Sequence, residues 1–130
     1  MTLRFIDTHC HFDFPPFTGD ETASIARAAQ AGVRQIIVPA TEADNFARVL
    51  GLAAQYAPLY AALGLHPIVI ERHEEESLAR LEACLAKRDA KLIAVGEIGL
   101  DLYREDPQFE RQISLLEAQL RLEWRMTGKS

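Results

Sequence analysis

An α/β fold built from parallel strand–helix units is predicted for this chain, and three observations predict it. Short apolar runs alternate with helix-period segments about four times along the sequence. Those runs are near-continuously apolar instead of alternating, as strands buried on both faces are. Histidines and a glutamate gather at or just after the C-terminal ends of the runs, which is where parallel sheets bind ligands, whether closed into a barrel or open at a switch point.

Period and punctuation give the elements in order. Leu3 to Thr8 reads as the first strand, followed by a loop through Pro15, Pro16 and Gly19. Asp20 is placed to cap a helix to about Ala31, with Gly32 as its stop. Arg34 to Pro39 is the second strand. Thr41 and Asp44 resemble a capping box with Asp in place of Glu, opening a helix to about Tyr56 that Pro58 closes. Leu59 to Leu65 is the third strand. Leu78, Leu81 and Leu85 set the period of a helix from Glu74 to about Lys87, whose start through Arg72, His73 and Glu74 to Glu76 reads as solvated. Lys91 to Glu97 is the fourth strand. Asp106 before Pro107 caps the last helix, and Phe109, Ile113, Leu116 and Leu120 mark its apolar face.

A chain of 130 residues is one ordinary domain. The net charge of −5 argues against a nucleic-acid binder that works through a broad basic surface, because neutralising phosphates takes clustered lysine and arginine. A metal supplies the same positive charge locally. Cys10 and Cys84 are too few for a disulfide scaffold, no signal-peptide pattern opens the chain, and no apolar run approaches the roughly 18 residues of a membrane span. The cytoplasm is the expected compartment, with no membrane partner.

His9 and His11 stand two residues apart at the end of the first strand, so their imidazoles emerge on one face and can reach one cation. Cys10 between them faces the other way and reads as a small core residue. Asp7 shares the histidines' face. Glu97, in Val95-Gly96-Glu97-Ile98-Gly99-Leu100-Asp101, ends another apolar run and is placed to add a carboxylate to the same ion. His66, in Gly64-Leu65-His66-Pro67, either serves the site or simply ends a strand; Asp101 either orients a ligand or holds a turn near Arg104. Two imidazoles and one carboxylate match an open three-ligand site of a metal-dependent hydrolase. The His-x-His pair alone does not separate a phosphodiester substrate from an amide, a lactone or a phosphotriester.

The three segments Ile6-Asp7-Thr8-His9-Cys10-His11, Gly64-Leu65-His66-Pro67 and Val95 to Tyr103 together resemble signatures of the TatD family of metal-dependent deoxyribonucleases, among the amidohydrolase-like barrels. The resemblance implies a TIM-type barrel of which residues 1–130 are the N-terminal part, a partial barrel of about four units. It implies that His9, His11 and Glu97 hold one or two divalent ions (zinc, manganese, magnesium, cobalt and nickel are not distinguished), that Glu97 and His66 are catalytic, and that His66 lies near the phosphate of DNA or a small phosphoester. The family barrel is longer and draws further histidines and an aspartate from later strands. After Leu122 the sequence no longer follows the expected helix and next strand, so residues 123–130 read as divergent and the chain as a truncated copy or a fragment. The expectations that follow are weak or absent activity of the chain alone, a non-catalytic remnant being the alternative, and self-association through an open sheet edge.

Overall fold

A computed structural model describes residues 4–126. Strands β1 (Phe5–Asp7), β2 (Val33–Pro39), β3 (Leu59–Leu63) and β4 (Leu92–Val95) form one parallel sheet in chain order. Each strand is followed by a helix: α1 (Glu21–Gln30), α2 (Phe46–Gln55), α3 (Glu75–Ala86) and α4 (Phe109–Met126). Parallel neighbours need such crossovers, because a tight hairpin returns the chain antiparallel.

The core lies where the two central strands meet the helices. Ile36, Val38, Leu59, Ala61 and Leu63 pack with Val49 and Leu52 of α2 and Leu81 of α3. Leu63 is fully buried, so its truncation to alanine is expected to cost about 2–5 kcal/mol. The outer strands are as apolar in sequence but have a strand on one side only, and Phe5, Ile6 and Ile93 are exposed.

Beyond the strand ends the backbone pairing continues inward across the rim. The Cys10 N–H donates to Ile37 O at 3.1 Å, Gly96 N–H to Leu63 O at 2.9 Å, and Glu97 N–H to Ala40 O at 3.1 Å. The last of these bonds joins the end of β4 to residues just past β2, passing over the end of β3. The chain can cross there because Gly64 has no side chain: a β-carbon on Gly64 would stand 2.7 Å from Gly96 C and 2.8 Å from Glu97 O.

Several boundaries differ from the sequence reading, each for an identifiable reason. The third strand stops at Leu63 instead of Leu65, because the Leu65 N–H turns to the side chain of Gln119 at 2.7 Å. The fourth stops at Val95 instead of Glu97, as Gly96 and Glu97 bend over Gly64. Leu3, the predicted start of the first strand, lies outside the described residues. The Thr41–Asp44 capping box does not form: Ala43–Asn45 is a short 3-10 turn, Asp44 pairs with Arg80 at 2.9 Å, and the Asn45 amide donates to Asp13 at 2.6 Å. A capping box does open α3, where Glu74 and Ser77 satisfy each other's backbone N–H. Asp20 precedes α1 but spends its carboxylate on Arg27 at 2.8 Å instead of on a helix N–H, while Gly32 ends that helix at φ 95° as expected.

The last helix departs furthest. It begins at Phe109 instead of at Pro107 and runs on past Leu122 to Met126, which packs against the core. The face it buries carries Gln112, Gln119 and Leu122, whereas Phe109 and Leu120 of the predicted apolar stripe are exposed.

Candidate metal centre

β1, β3 and β4 deliver their trailing residues to one point above the sheet. The His9 backbone N–H donates to Asp7 Oδ1 at 3.0 Å, a local turn that tips the following segment over the strand end. Asp7 is thereby a turn residue, its carboxylate facing backbone. The imidazoles of His9 and His11 meet edge to face, with their Nε2 atoms 3.3 Å apart. Glu97 arrives from the opposite side over Gly64, its carboxylate 3.0 Å from His11 Nε2 and 3.5 Å from His9 Nε2. The three ligand atoms lie within 4.8 Å of one another.

These spacings suit a cation. Ligand atoms about 2.0–2.1 Å from a tetrahedral ion stand about 3.3–3.4 Å from each other, which is the separation of the two Nε2 atoms here. Two imidazoles and a carboxylate suit zinc, manganese, cobalt or nickel, with magnesium less favoured by the nitrogens. Solvent reaches the point from the histidine side: His9 is 53% exposed and His11 38%, against 22% for Glu97. Cys10 takes no part. Burial, then the negative charges of Asp7 and Asp13, push its thiol pKa up, and the side chain packs against the core as the sequence predicted.

His66 stands at the edge of the same site, its Nε2 3.5 Å from Glu97 Oε1. Its Nδ1 accepts the Ile68 N–H at 3.0 Å, so the neutral ring carries its proton on Nε2 and presents a donor to the site. The carboxylate of Asp101 accepts the Tyr103 N–H at 2.8 Å, holding a turn, and Arg104 is engaged instead with Glu71 and Ile68 O. Among the groups proposed from sequence, His9, His11, Glu97 and His66 therefore come together, and Asp7 and Asp101 serve loops.

Two features of the surroundings were not foreseen. His73, grouped in sequence with a solvated helix start, is 3% exposed and donates from Nε2 to His66 O at 2.7 Å. Burial holds its imidazole below the usual histidine pKa. Gln112 and Gln119 are each 1% exposed beneath the rim. Their only signal in the sequence is a spacing of seven, which repeats on one face of a helix.

A parallel β/α sheet here gathers two histidines and a glutamate at its C-terminal rim, a group that could hold a metal ion. This chain belongs to the TatD family: the TatD-related DNase family profile matches residues 6–125. The chain is 69% identical over 122 residues to a protein of Escherichia coli K12 named as the uncharacterized metal-dependent hydrolase YjjV, covering 94% of this chain and 47% of that one. It is 39% identical over 107 residues to the 3'-5' ssDNA/RNA exonuclease TatD of Edwardsiella piscicida, covering 82% of this chain and 40% of the relative. The crystal structure of the E. coli TatD homolog YjjV superposes with a TM-score of 0.94 at 67% identity over 98% of this chain and 49% of that one. A TatD family hydrolase of Entamoeba histolytica superposes with a TM-score of 0.81 at 26% identity over 96% of this chain and 47% of that one. The chain thus spans about half the length of these relatives, and its fold is a partial TIM-type barrel.

Proposed function

We propose that residues 1–130 are the N-terminal part of a single TatD-type barrel, a metal-dependent hydrolase that cleaves phosphodiester bonds in DNA. The observation that carries this reading is the 3.3 Å separation of the His9 and His11 Nε2 atoms with the Glu97 carboxylate closing the triangle at 3.0 and 3.5 Å. His9, His11 and Glu97 would hold a divalent ion, which when bound supplies Lewis-acid polarisation of a phosphoryl oxygen and a water of lowered pKa. The exonuclease name of the Edwardsiella relative supports a nucleic-acid substrate, and a net charge of −5 fits a site that meets phosphate through a metal instead of a basic surface.

The chain's own groups divide the remaining work. His66 donates its Nε2–H toward a phosphoryl oxygen and stabilises charge developing there. Glu97 keeps both ring nitrogens of the pair directed at one point. Among the described residues no further carboxylate lies in the cluster to act as a general base, so we expect weak metal binding and slow turnover from the chain alone. No helix among the described residues is long and apolar enough to cross a membrane. We place the activity in the cytoplasm. The exposed Phe5, Ile6 and Ile93 on the outer strands support self-association through the open sheet edges.

The test is metal content and hydrolysis of a DNA oligonucleotide by the purified chain, before and after His9→Ala. Loss of both in the variant supports the reading, and unchanged values sink it. A lactone or cyclic amide hydrolysed in preference to the oligonucleotide would move the substrate class while keeping the metal site.

A further inference from the structure

A glutamine with 1% exposure on the inner face of a helix calls for a reason. A buried amide without partners is destabilising, and a leucine or methionine at position 119 would fill the space with no such cost. Gln119 meets the cost in one particular way. Its Oε1 accepts the Leu65 N–H at 2.7 Å and its Nε2 donates to Leu65 O at 3.3 Å. One side chain thereby pairs both polar groups of a single residue, as an opposing strand does at a hydrogen-bonded position. Leu65 needs that substitute because β3 has ended at Leu63, while the Leu65 side chain stays fully buried.

The pairing bears on the residue that follows. From Leu65, the next backbone groups are held as tightly: His66 N–H donates to Thr41 O at 2.8 Å and His66 O accepts from His73 at 2.7 Å. With both flanking peptides fixed and Nδ1 occupied by the Ile68 N–H, the ring has one direction left for Nε2, toward Glu97. The same helix repeats the device a heptad earlier. Gln112 accepts the Asp101 N–H at 2.8 Å and donates to Asp101 O at 2.9 Å, tying down the segment that leads away from Glu97.

We infer that Gln119 is a positioning residue for His66, a backbone clamp on α4 that fixes the Leu65 peptide and so sets where the His66 Nε2–H is delivered. The inference rests on the phosphodiesterase reading for its catalytic consequence and on the fold alone for its geometry. The hydrogen bonds of Gln119 go to Leu65 and not to His9, His11, Glu97 or His66.

Gln119→Met keeps the volume and removes both bonds; Gln119→Glu keeps the acceptor and, when ionised, loses the donor. Leu85→Ala, in a buried position of α3, serves as a control for lost stability alone. The readouts are the ring nitrogen signals of His66 in the 15N-histidine-labelled chain at pH 8, and kcat and KM on a DNA oligonucleotide with manganese. In Gln119→Met the Nε2–H signature of His66 is expected to give way to a mixture, with kcat down about 10- to 100-fold and KM within about twofold. Gln119→Glu is expected to fall between wild type and Gln119→Met, and Leu85→Ala to leave the His66 signals where they are. If Gln119→Met does not fold, Gln119→Glu decides. Unchanged His66 signals and kcat in the folded Gln119 variants, or an equal change in Leu85→Ala, overturn the inference. Absence of turnover in the wild-type chain falls within the weak or absent activity expected of the chain alone, and the His66 signals then decide the clamp by themselves.

Discussion

Gly64 lies directly beneath the backbone of Glu97, so close that an added β-carbon would stand 2.8 Å from the Glu97 carbonyl oxygen. That contact lets the segment after β4 cross the end of β3 and form its bond to Ala40 O. The site depends on this crossing, since Glu97 reaches the two histidines that follow β1 only by passing over the strands between them.

Gly64→Ala is therefore expected to act at the metal centre as well as on the fold. The two nearest atoms it meets, Gly96 C and Glu97 O, are backbone and cannot swing aside, so overpacking of about 1–3 kcal/mol is expected. Moving Glu97 away from His9 and His11 should weaken binding of zinc or manganese at least about tenfold, which is about 1.4 kcal/mol. Urea denaturation and metal titration by calorimetry measure the two effects. A variant with wild-type affinity would show that the crossing does not set the site.

Glu97→Gln tests the carboxylate without changing its shape. Groups that merely support a ligand are worth about 10- to 100-fold in metal affinity, so loss of the negative charge from Glu97, proposed above as a direct ligand, should cost at least that much. Metal content after dialysis against a micromolar metal buffer reads the loss. The fold should survive, because the Glu97 N–H that anchors the segment belongs to the backbone.

The residues of the candidate metal centre were legible in the sequence because metal chemistry restricts ligands to few types; the expected strand period of two does not apply to His9 and His11, which lie past the end of β1 at Asp7, beyond the turn made there. Parallel topology then supplied a common rim for His66 and Glu97. What escaped were groups whose meaning depends on partners distant in the chain. Gln119 satisfies Leu65 across 54 residues, and no local pattern distinguishes it from a surface glutamine. His73 was judged by its charged neighbours Arg72 and Glu74, although it turns inward to His66 O. The Thr41–Asp44 box failed for a similar reason, since Asp44 is drawn to Arg80 and Asn45 to Asp13, both from other elements.

Stability should fall as the solution is made mildly acidic, and His73 is one cause. Burial lowers its pKa below the ordinary 6.5; the bond to His66 O and the charges of Glu42 and Glu71 oppose that shift, and Arg111 adds to it. The unfolded chain then binds the proton more readily than the folded one. The contribution of a neutral His73 is complete above about pH 6.5 and is lost as pH falls through the depressed folded value. His73→Gln retains an N–H for His66 O but does not titrate. Between pH 7 and pH 5 the urea midpoint of the wild type should drop further than that of the variant; equal drops would assign the pH dependence to other groups.

Added metal that binds at His9, His11 and Glu97 should stabilise the chain by an amount that grows with the logarithm of its concentration above Kd. A ligand that binds only the folded state at a hundredfold excess over its Kd contributes about 2.7 kcal/mol. For a domain of this size that corresponds to a rise in Tm of about 10 °C. The rise should be reversed by a chelator, absent in His9→Ala and His11→Ala, and retained in His66→Ala, because the His66 proton sits on the nitrogen that faces the site and that ring is assigned a donor's role. Differential scanning calorimetry across a zinc or manganese series measures it. Loss of the rise in His66→Ala would make His66 a ligand and change its assignment, while a rise that persists in His9→Ala would place the ion somewhere other than at the imidazole pair.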